Sequence, residues 1–257
     1  MIMLKNKYAV ITGGSDGIGF AIAEMFAKNG ADICIVARNE EKLLEAKNNL
    51  KTYGTSISVI NGDLSDISAI KDISDKILEI SPDIDILVNN AGIGRFIPFE
   101  QMDSNIFDMH LNLNVRAPYF LSQYLLGSLI KNKGNIINIS SYFSKRMLAG
   151  NCSTVYSLTK GALESFTKSL AFEIGKKGVR VNAIAPGSIN TPQLRTNLSL
   201  MNDNEKQKIQ SLIPMIYPLG RIGSTEDIAY MATFLASENA NWITGAIMSV
   251  DGGLTTN

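Results

Sequence analysis

Seven residues near the start of the chain constrain its fold more than any others: Gly13-Gly14-Ser15-Asp16-Gly17-Ile18-Gly19, four of them glycine. An apolar run of strand composition, Tyr8-Ala-Val-Ile-Thr12, leads into them. A helix-compatible stretch, residues 20–29, follows and stops at Gly30. Glycines let a backbone approach a diphosphate closely, and a helix N-terminus offers free N–H groups and a positive dipole. The spacing is Gly-x-x-x-Gly-x-Gly, not the commoner Gly-x-Gly-x-x-Gly. Between a strand and a helix, four glycines in seven residues read as a phosphate cradle.

The same alternation continues. Strands are expected at 32–36, 56–61, 84–88, 135–139, 179–185 and 246–250. Helices are expected at 40–53, 65–80 (with Ser65 as its cap), 105–131 (kinked at Pro118), 157–173 and 225–236. This rhythm implies an α/β fold: a single-domain, Rossmann-like, doubly wound parallel sheet of about seven strands with helices on both faces. With 257 residues, no linker and no internal repeat, residues 1–257 read as one catalytic domain. Residues 189–217, mixed in composition, read as a substrate lid over it. Hydrophobic residues make up 45% and charged residues 19%, which suits a packed core and excludes wholesale disorder.

Composition excludes other classes of function. Lys plus Arg is 24 and Asp plus Glu is 24, so nothing electrostatic recommends nucleic acid or an anionic membrane as a partner. No apolar run approaches the ~20 residues of a membrane helix. Residues 1–7 are too short and too quickly charged for a signal peptide. Cys34 and Cys152 make no disulfide framework and fit a cytoplasmic location. His110 is the one histidine, so no metal set is expected.

Ligands of such sheets sit beyond the carboxyl ends of the strands. Gly13, Arg38, Asp63 and Asn90 all fall there and share one crevice. Where NAD-binding chains place an acid for the ribose 2′-hydroxyl, this chain has Ala37-Arg38-Asn39. An arginine there suits a 2′-phosphate, so NADP(H) is the expected cofactor and NAD(H) the alternative. Tyr156 and Lys160, four apart on a helix, point at a common ligand. A nearby cation favours a phenolate, so this pair suits proton transfer near neutral pH. Asn114, on an apolar helix face, needs a buried partner.

Thr12-Gly13-x-x-x-Gly17-Ile18-Gly19, Asn89-Asn90-Ala91-Gly92, Ser141, Tyr156-x-x-x-Lys160 and Pro186-Gly187 appear in this order. The set resembles the short-chain dehydrogenase/reductase family, nearly end to end. The resemblance implies hydride transfer between a nicotinamide and a secondary alcohol or ketone, as in carbonyl or 3-oxoacyl reductases. An NAD(H)-dependent alcohol or hydroxysteroid-type dehydrogenase is the alternative. A dinucleotide-binding sensor without catalysis is a third reading, and an intact Ser141, Tyr156, Lys160 and Asn114 argues against it.

Carried over, the resemblance makes Tyr156 the general acid/base, with Lys160 lowering its pKa and holding the nicotinamide ribose. Ser141 bonds the reacting oxygen and Asn114 holds a water linking Lys160 to solvent. The cofactor would run along Gly13, Ser15, Asp16, Gly17, Ile18, Gly19, Arg38, Asn39, Asp63, Leu64, Asn90, Ala91 and Gly92. It would end at Tyr156, Lys160, Pro186, Gly187, Ile189 and Thr191. The family also implies a homotetramer built on helices 105–131 and 157–176.

Two departures stand out. Ser141 is fifteen residues before Tyr156, where the family usually has thirteen, and counting back thirteen lands on Phe143. A two-residue insertion within 143–152 explains this, with Ser140 and Ser144 as rivals to Ser141. Many NADP-using members have a basic residue at the place of Asp16, and the acid here counts against the reading of Arg38. Pocket stretches 93–99, 142–152 and 193–217 carry Phe96, Phe99, Tyr142, Phe143, Met147, Leu148, Leu194 and Met215. They suggest a small, mainly apolar carbonyl or alcohol substrate.

Overall fold

The computed structural model describes residues 2–148, 152–199 and 202–256. The expected pocket residues 149–151 and 200–201 lie outside the described residues.

Seven strands form one sheet: β1 (Tyr8–Thr12), β2 (Asp32–Ala37), β3 (Ile57–Asn61), β4 (Ile86–Asn89), β5 (Asn135–Ile139), β6 (Arg180–Pro186) and β7 (Ile247–Val250). Their order is β3-β2-β1-β4-β5-β6-β7, and every neighbouring pair is parallel. The doubly wound class read from the sequence is borne out. The chain runs outward from β1 to β3, then returns to β4 beside β1. That reversal opens a crevice between β1 and β4 at their carboxyl ends. Ala9, Val10, Ile11, Leu87, Val88, Ile136 and Ile137 are fully buried, as expected of strands covered on both faces.

Helices α1 (Gly17–Lys28), α2 (Glu40–Leu50) and α9 (Thr225–Ala236) supply one face's apolar layer, through Ile22, Phe26, Leu43, Leu50, Ile228 and Leu235. Helices α3 (Ala69–Ile80), α5 (Ala117–Lys131) and α6 (Thr154–Ile174) supply the other, through Ile70, Ile77, Leu121, Leu125, Ala171 and Ile174.

Three local expectations are corrected. The helix expected over 105–131 is divided into α4 (Ser104–Leu111), a π turn at Asn112–Arg116, and α5. The irregularity falls just ahead of Pro118, whose missing N–H cannot serve a carbonyl of the preceding turn. Ser65 does not cap α3. Its N–H and hydroxyl both bond Asp63, and those of Ser68 bond Asp66. These carboxylate-centred turns compete with helix and delay its start to Ala69. The 193–217 stretch contains α7 (Pro192–Ser199) and α8 (Asp203–Ile216), the latter with Pro214 inside it.

Close backbone approach predicts two opposite glycine effects. A Cβ at Gly134 would lie 2.3 Å from the Asp85 carbonyl oxygen, whereas one at Gly127, within α5, meets nothing within 4 Å. Gly134→Ala is expected to destabilise by about 2–3 kcal/mol. Gly127→Ala should stabilise by about 0.5–1 kcal/mol. Urea unfolding of both variants checks this.

Candidate active site

The glycine turn follows directly from β1. Gly13 and Gly17 have φ of +64° and +55°, a region that favours glycine. Asp16 caps α1, its Oδ1 accepting the Gly17 N–H at 2.7 Å. A Cβ at Gly19 would sit 2.2 Å from the Gly13 carbonyl oxygen, so the turn folds tightly on itself. Asn90 braces it from β4: Nδ2 donates to the carbonyls of Thr12 and Gly13 at 2.9 and 3.1 Å. The Thr12 hydroxyl completes the brace by accepting the N–H groups of Asn90 and Ala91, each at 3.0 Å. Sequence reading quoted Thr12 without giving it a role. Its signal was a hydroxyl ending an apolar strand just before the glycines. On the far side, Thr191 lies across the turn, with Cγ2 3.6 Å from the position of a Gly17 Cβ.

At the ends of β2 and β3, charges face each other in pairs. Arg38 Nη1 lies 3.9 Å from Asp63 Oδ2, and both side chains are exposed. Asn39 caps α2 and so places Lys42 in its first turn. From there Lys42 Nζ reaches Asp16 Oδ2 at 2.6 Å. The acid that counted against NADP(H) is thus balanced by a cation that sequence reading missed, because the pairing requires α2 to fold back over the glycine turn. Leu64 is buried beside these groups.

The proton-transfer candidates meet at the ends of β4 and β5. Tyr156 and Lys160 lie on α6, with Lys160 Nζ 5.6 Å from the Tyr156 ring centre. Lys160 donates to the Ile139 carbonyl at 2.7 Å. Of the three candidate serines, Ser141 is the one close enough to Tyr156 to favour its phenolate. Ser140 and Ser144 bond Glu164 instead. The π turn carries Asn114, whose Oδ1 accepts the Ile93 N–H and whose Nδ2 donates to the Ile93 carbonyl and to Thr159. Its need for partners is met in full. Gly92 ties the group together, since a Cβ there would lie 3.2 Å from Asn114 Oδ1 and 3.5 Å from Lys160 Nζ. His110 is structural: Nε2 accepts the Arg95 N–H and Nδ1 donates to the Ile106 carbonyl. Pro186 ends β6, and the Gly187 N–H bonds the Val250 carbonyl. Ile189 pairs with Gly223.

Aromatic rings wall the tyrosine. Phe96 and Phe143 stand 5.7 and 5.8 Å from the Tyr156 ring, and 5.3 Å from each other. Outside them an open groove of about 690 Å³ is lined by Pro98, Phe99, Met147, Cys152 and Ser157 among others. Met147 and Cys152, both in the connection from Ser141 to Tyr156, thus line this groove.

Residues 13–255 match a family model described as enoyl-(acyl carrier protein) reductase. The 3-oxoacyl-(acyl-carrier-protein) reductase FabG of Chlamydia pneumoniae is 38% identical over 255 residues, spanning 99% of each chain. The chain belongs to the short-chain dehydrogenase/reductase family. Among solved structures, L-sorbose reductase from Gluconobacter frateurii, complexed with NADPH and L-sorbose, superposes with a TM-score of 0.93 at 35% identity, covering 100% of this chain and 99% of that one. A 3-oxoacyl-(acyl-carrier-protein) reductase from Agrobacterium tumefaciens with NADP bound gives 0.90 at 27% identity, covering 98% and 95%. These short-chain dehydrogenase/reductase relatives carry names for different substrates, so membership sets oxidoreductase chemistry and leaves the substrate open.

A family dinucleotide fits this crevice. The cradle at Gly17 is one that a Cβ would project into, and the carbonyls of Thr12 and Gly13 are already occupied by Asn90. The N–H groups of Gly13 and Gly17 are bonded to the Val36 carbonyl and to Asp16, and the glycine turn presents the start of α1 to a ligand. In the free protein, burial governs the proton-transfer pair. Burial pushes the Tyr156 phenol up, and the bond from Ser141 opposes it. Burial also pulls the Lys160 ammonium down, from 10.5 to about 8. That displacement amounts to roughly 3 kcal/mol against the charged form.

A stability effect with a definite sign follows. Between about pH 8 and 10.5 the native Lys160 has released a proton that the unfolded chain retains. Stability therefore rises with pH across this window, and the full charging penalty applies below it. Lys160→Met should raise the melting temperature of the cofactor-free protein at pH 7. The gain should shrink steadily as the pH is raised through the window, as calorimetry would show.

Proposed function

We propose that this chain is an NADP(H)-dependent reductase interconverting a secondary alcohol and a ketone. The observation that carries the reading is the burial of Tyr156 with Ser141 at hand to favour its phenolate and with Lys160, one helix turn on, fixed to the Ile139 carbonyl and 5.6 Å from its ring. In the direction of reduction, the Tyr156 hydroxyl donates a proton to the carbonyl oxygen as charge develops on it. Ser141 donates a hydrogen bond to the same oxygen. Lys160 stabilises the tyrosinate left behind and holds the ribose hydroxyls. Asn114 and Lys160, both adjoining Gly92, hold the water that returns a proton from solvent. When bound, the nicotinamide supplies the hydride.

The cofactor preference rests on Arg38 for the 2′-phosphate, with Asp16 neutralised by Lys42. The NADP and NADPH named with the solved relatives support it. Ser15, Asp16, Ile18, Asn39, Asp63, Leu64, Ala91, Pro186, Gly187, Ile189 and Thr191 line the remaining length of the groove. The rings of Phe96 and Phe143, with Phe99 and Met147 beyond, favour a small, mainly apolar carbonyl compound, and α7 with α8 serves as the lid. A homotetramer is part of the reading. Phe172 and Trp242 are 92% and 96% exposed, and Tyr119, Phe120, Tyr124 and Phe166 form a contiguous aromatic strip on α5 and α6. Such a surface suits burial between copies. Its working compartment is the reducing cytoplasm, in keeping with two free thiols. No helix among the described residues is long and apolar enough to cross a membrane.

Two substitutions test the reading. Tyr156→Phe should lower ketone reduction by about 10²–10⁴-fold while NADPH affinity, followed by fluorescence, stays nearly constant. Full activity in that variant would refute the assignment. Arg38→Ala should weaken NADPH binding by about 10–100-fold and leave NADH binding unchanged. Equal effects on the two cofactors would remove Arg38 from phosphate recognition.

A further inference from the structure

Glu164 takes no part in the chemistry described above, yet it is 8% exposed and sits next to that chemistry. It follows Lys160 by four residues on α6, as Lys160 follows Tyr156, so the three lie along one stripe of the helix. One of its oxygens, Oε1, accepts two hydroxyls: Ser140 Oγ at 3.0 Å and Ser144 Oγ at 2.5 Å. Among the described residues no cation pairs with it. A buried carboxylate of this kind is held in place by its hydrogen bonds, and hydroxyl-to-carboxylate bonds are among the stronger ones.

The placement of those two serines gives the carboxylate its meaning. They flank Ser141, one residue before it and three after. The Ser144 hydroxyl has two acceptors in reach, Glu164 Oε1 at 2.5 Å and the Ser141 carbonyl at 2.8 Å, and that carbonyl is also met by the Ser144 N–H at 3.1 Å, so the nearer, charged carboxylate has the stronger claim on the hydroxyl proton. The Ser140 hydroxyl also approaches the Lys160 carbonyl, at 3.4 Å. One carboxylate thus ties both sides of the Ser141 turn to the helix that carries Tyr156 and Lys160. This turn opens the connection that is two residues longer than the family's usual spacing, where a fixed serine needs an anchor of its own.

We propose that Glu164 is a positioning residue that holds the Ser140–Ser144 turn so that the Ser141 hydroxyl faces Tyr156. The proposal rests on the reading of Ser141 and Tyr156 given above. An apolar side chain at 164 would leave the Ser140 and Ser144 hydroxyls without this acceptor and release the turn. A glutamine would keep a carbonyl acceptor for both.

The test uses the full-length protein, acetoacetyl-coenzyme A as the probe ketone, and Glu164→Leu, Glu164→Gln, Ser141→Ala and the Ser141→Ala/Glu164→Leu double variant. Glu164→Leu should lower kcat by about 10–100-fold, the scale of a misplaced reacting group, with NADPH affinity within about twofold of wild type. Glu164→Gln should recover most of that loss. In the Ser141→Ala background Glu164→Leu should add less than about twofold, because the residue acts through Ser141. A second readout needs no substrate: ionisation of Tyr156, taken from ultraviolet difference spectra against Tyr156→Phe. The groups facing its ring and hydroxyl are Ser141, Lys160, the titratable Tyr142 and the uncharged rings of Phe96 and Phe143. Loss of the Ser141 bond should move the ionisation to higher pH in Glu164→Leu as in Ser141→Ala. If Glu164→Leu does not fold, Ser144→Ala takes its place, with the same upward movement expected. Unchanged kcat and ionisation in the Glu164 or Ser144 variants, or full additivity with Ser141→Ala, would overturn the proposal. If Ser141→Ala itself keeps full activity, the assignment of Ser141 fails first, and that outcome is separable from the others.

Discussion

The structure depends on a buried cation, Lys160, that forms no ion pair among the described residues. Lys160 is 4% exposed, and burial alone accounts for its depressed pKa. Its ammonium donates to the carbonyl of Ile139, the last residue of β5, and so fastens the N-terminal part of α6 to the end of the sheet. An isolated buried charge is costly, and hydrocarbon would fill the same place more stably. The site accepts this cost at one point, where the crevice between β1 and β4 receives a ligand. Tyr156 shares the same burial with the opposite consequence, since its neutral form is the favoured one. In the free protein the pair is assembled in space, while burial disfavours both the ammonium and the phenolate.

Rigid surroundings let the site hold such groups in register. Asn90 and Thr12 lock the end of β4 to the glycine turn, and Asn114 clamps residue 93 from the π turn. Behind them a buried polar chain links the sheet to two helices of one face, α5 and α6. Asn89 donates to Ser122 of α5 and to Asn138 of β5, and Asn138 donates to Thr167 of α6. Each member has a partner, so the chain fixes the angle of the helices without leaving a buried group unmet. The catalytic candidates thus hang from three strand ends whose relative positions are set by backbone and amide hydrogen bonds.

What could be read from the sequence follows from how local each signal is. The apolar strands and the glycine turn were legible because parallel strands bury both faces and a cradle excludes side chains. Tyr156 and Lys160 were legible because helical spacing is a local property. The strand end points to Ser141, with Ser140 and Ser144 as rivals, and only the fold shows that the hydroxyls of those two rivals turn to Glu164. The division of the helix before α5 was signalled by Pro118, but its form as a π turn around Asn114 depends on packing against residue 93. The start of α3 was misjudged because Asp63 and Asp66 capture the intervening serines. Lys42 and Glu164 left no signal at all. Each acts on a partner more than fifteen residues away, Asp16 and Ser140 respectively, and an exposed lysine or a helical glutamate is unremarkable in itself.

The most direct measurement of this account is the titration of Lys160 by NMR of lysine labelled at the ε carbon, with the resonance assigned by its absence in Lys160→Met. The account predicts a midpoint near 8 in the cofactor-free protein. A midpoint at the ordinary value of about 10.4 would mean that the ammonium is solvated or paired with an unrecognised anion. The buried, unpaired cation would then not be the constraint around which this site is built.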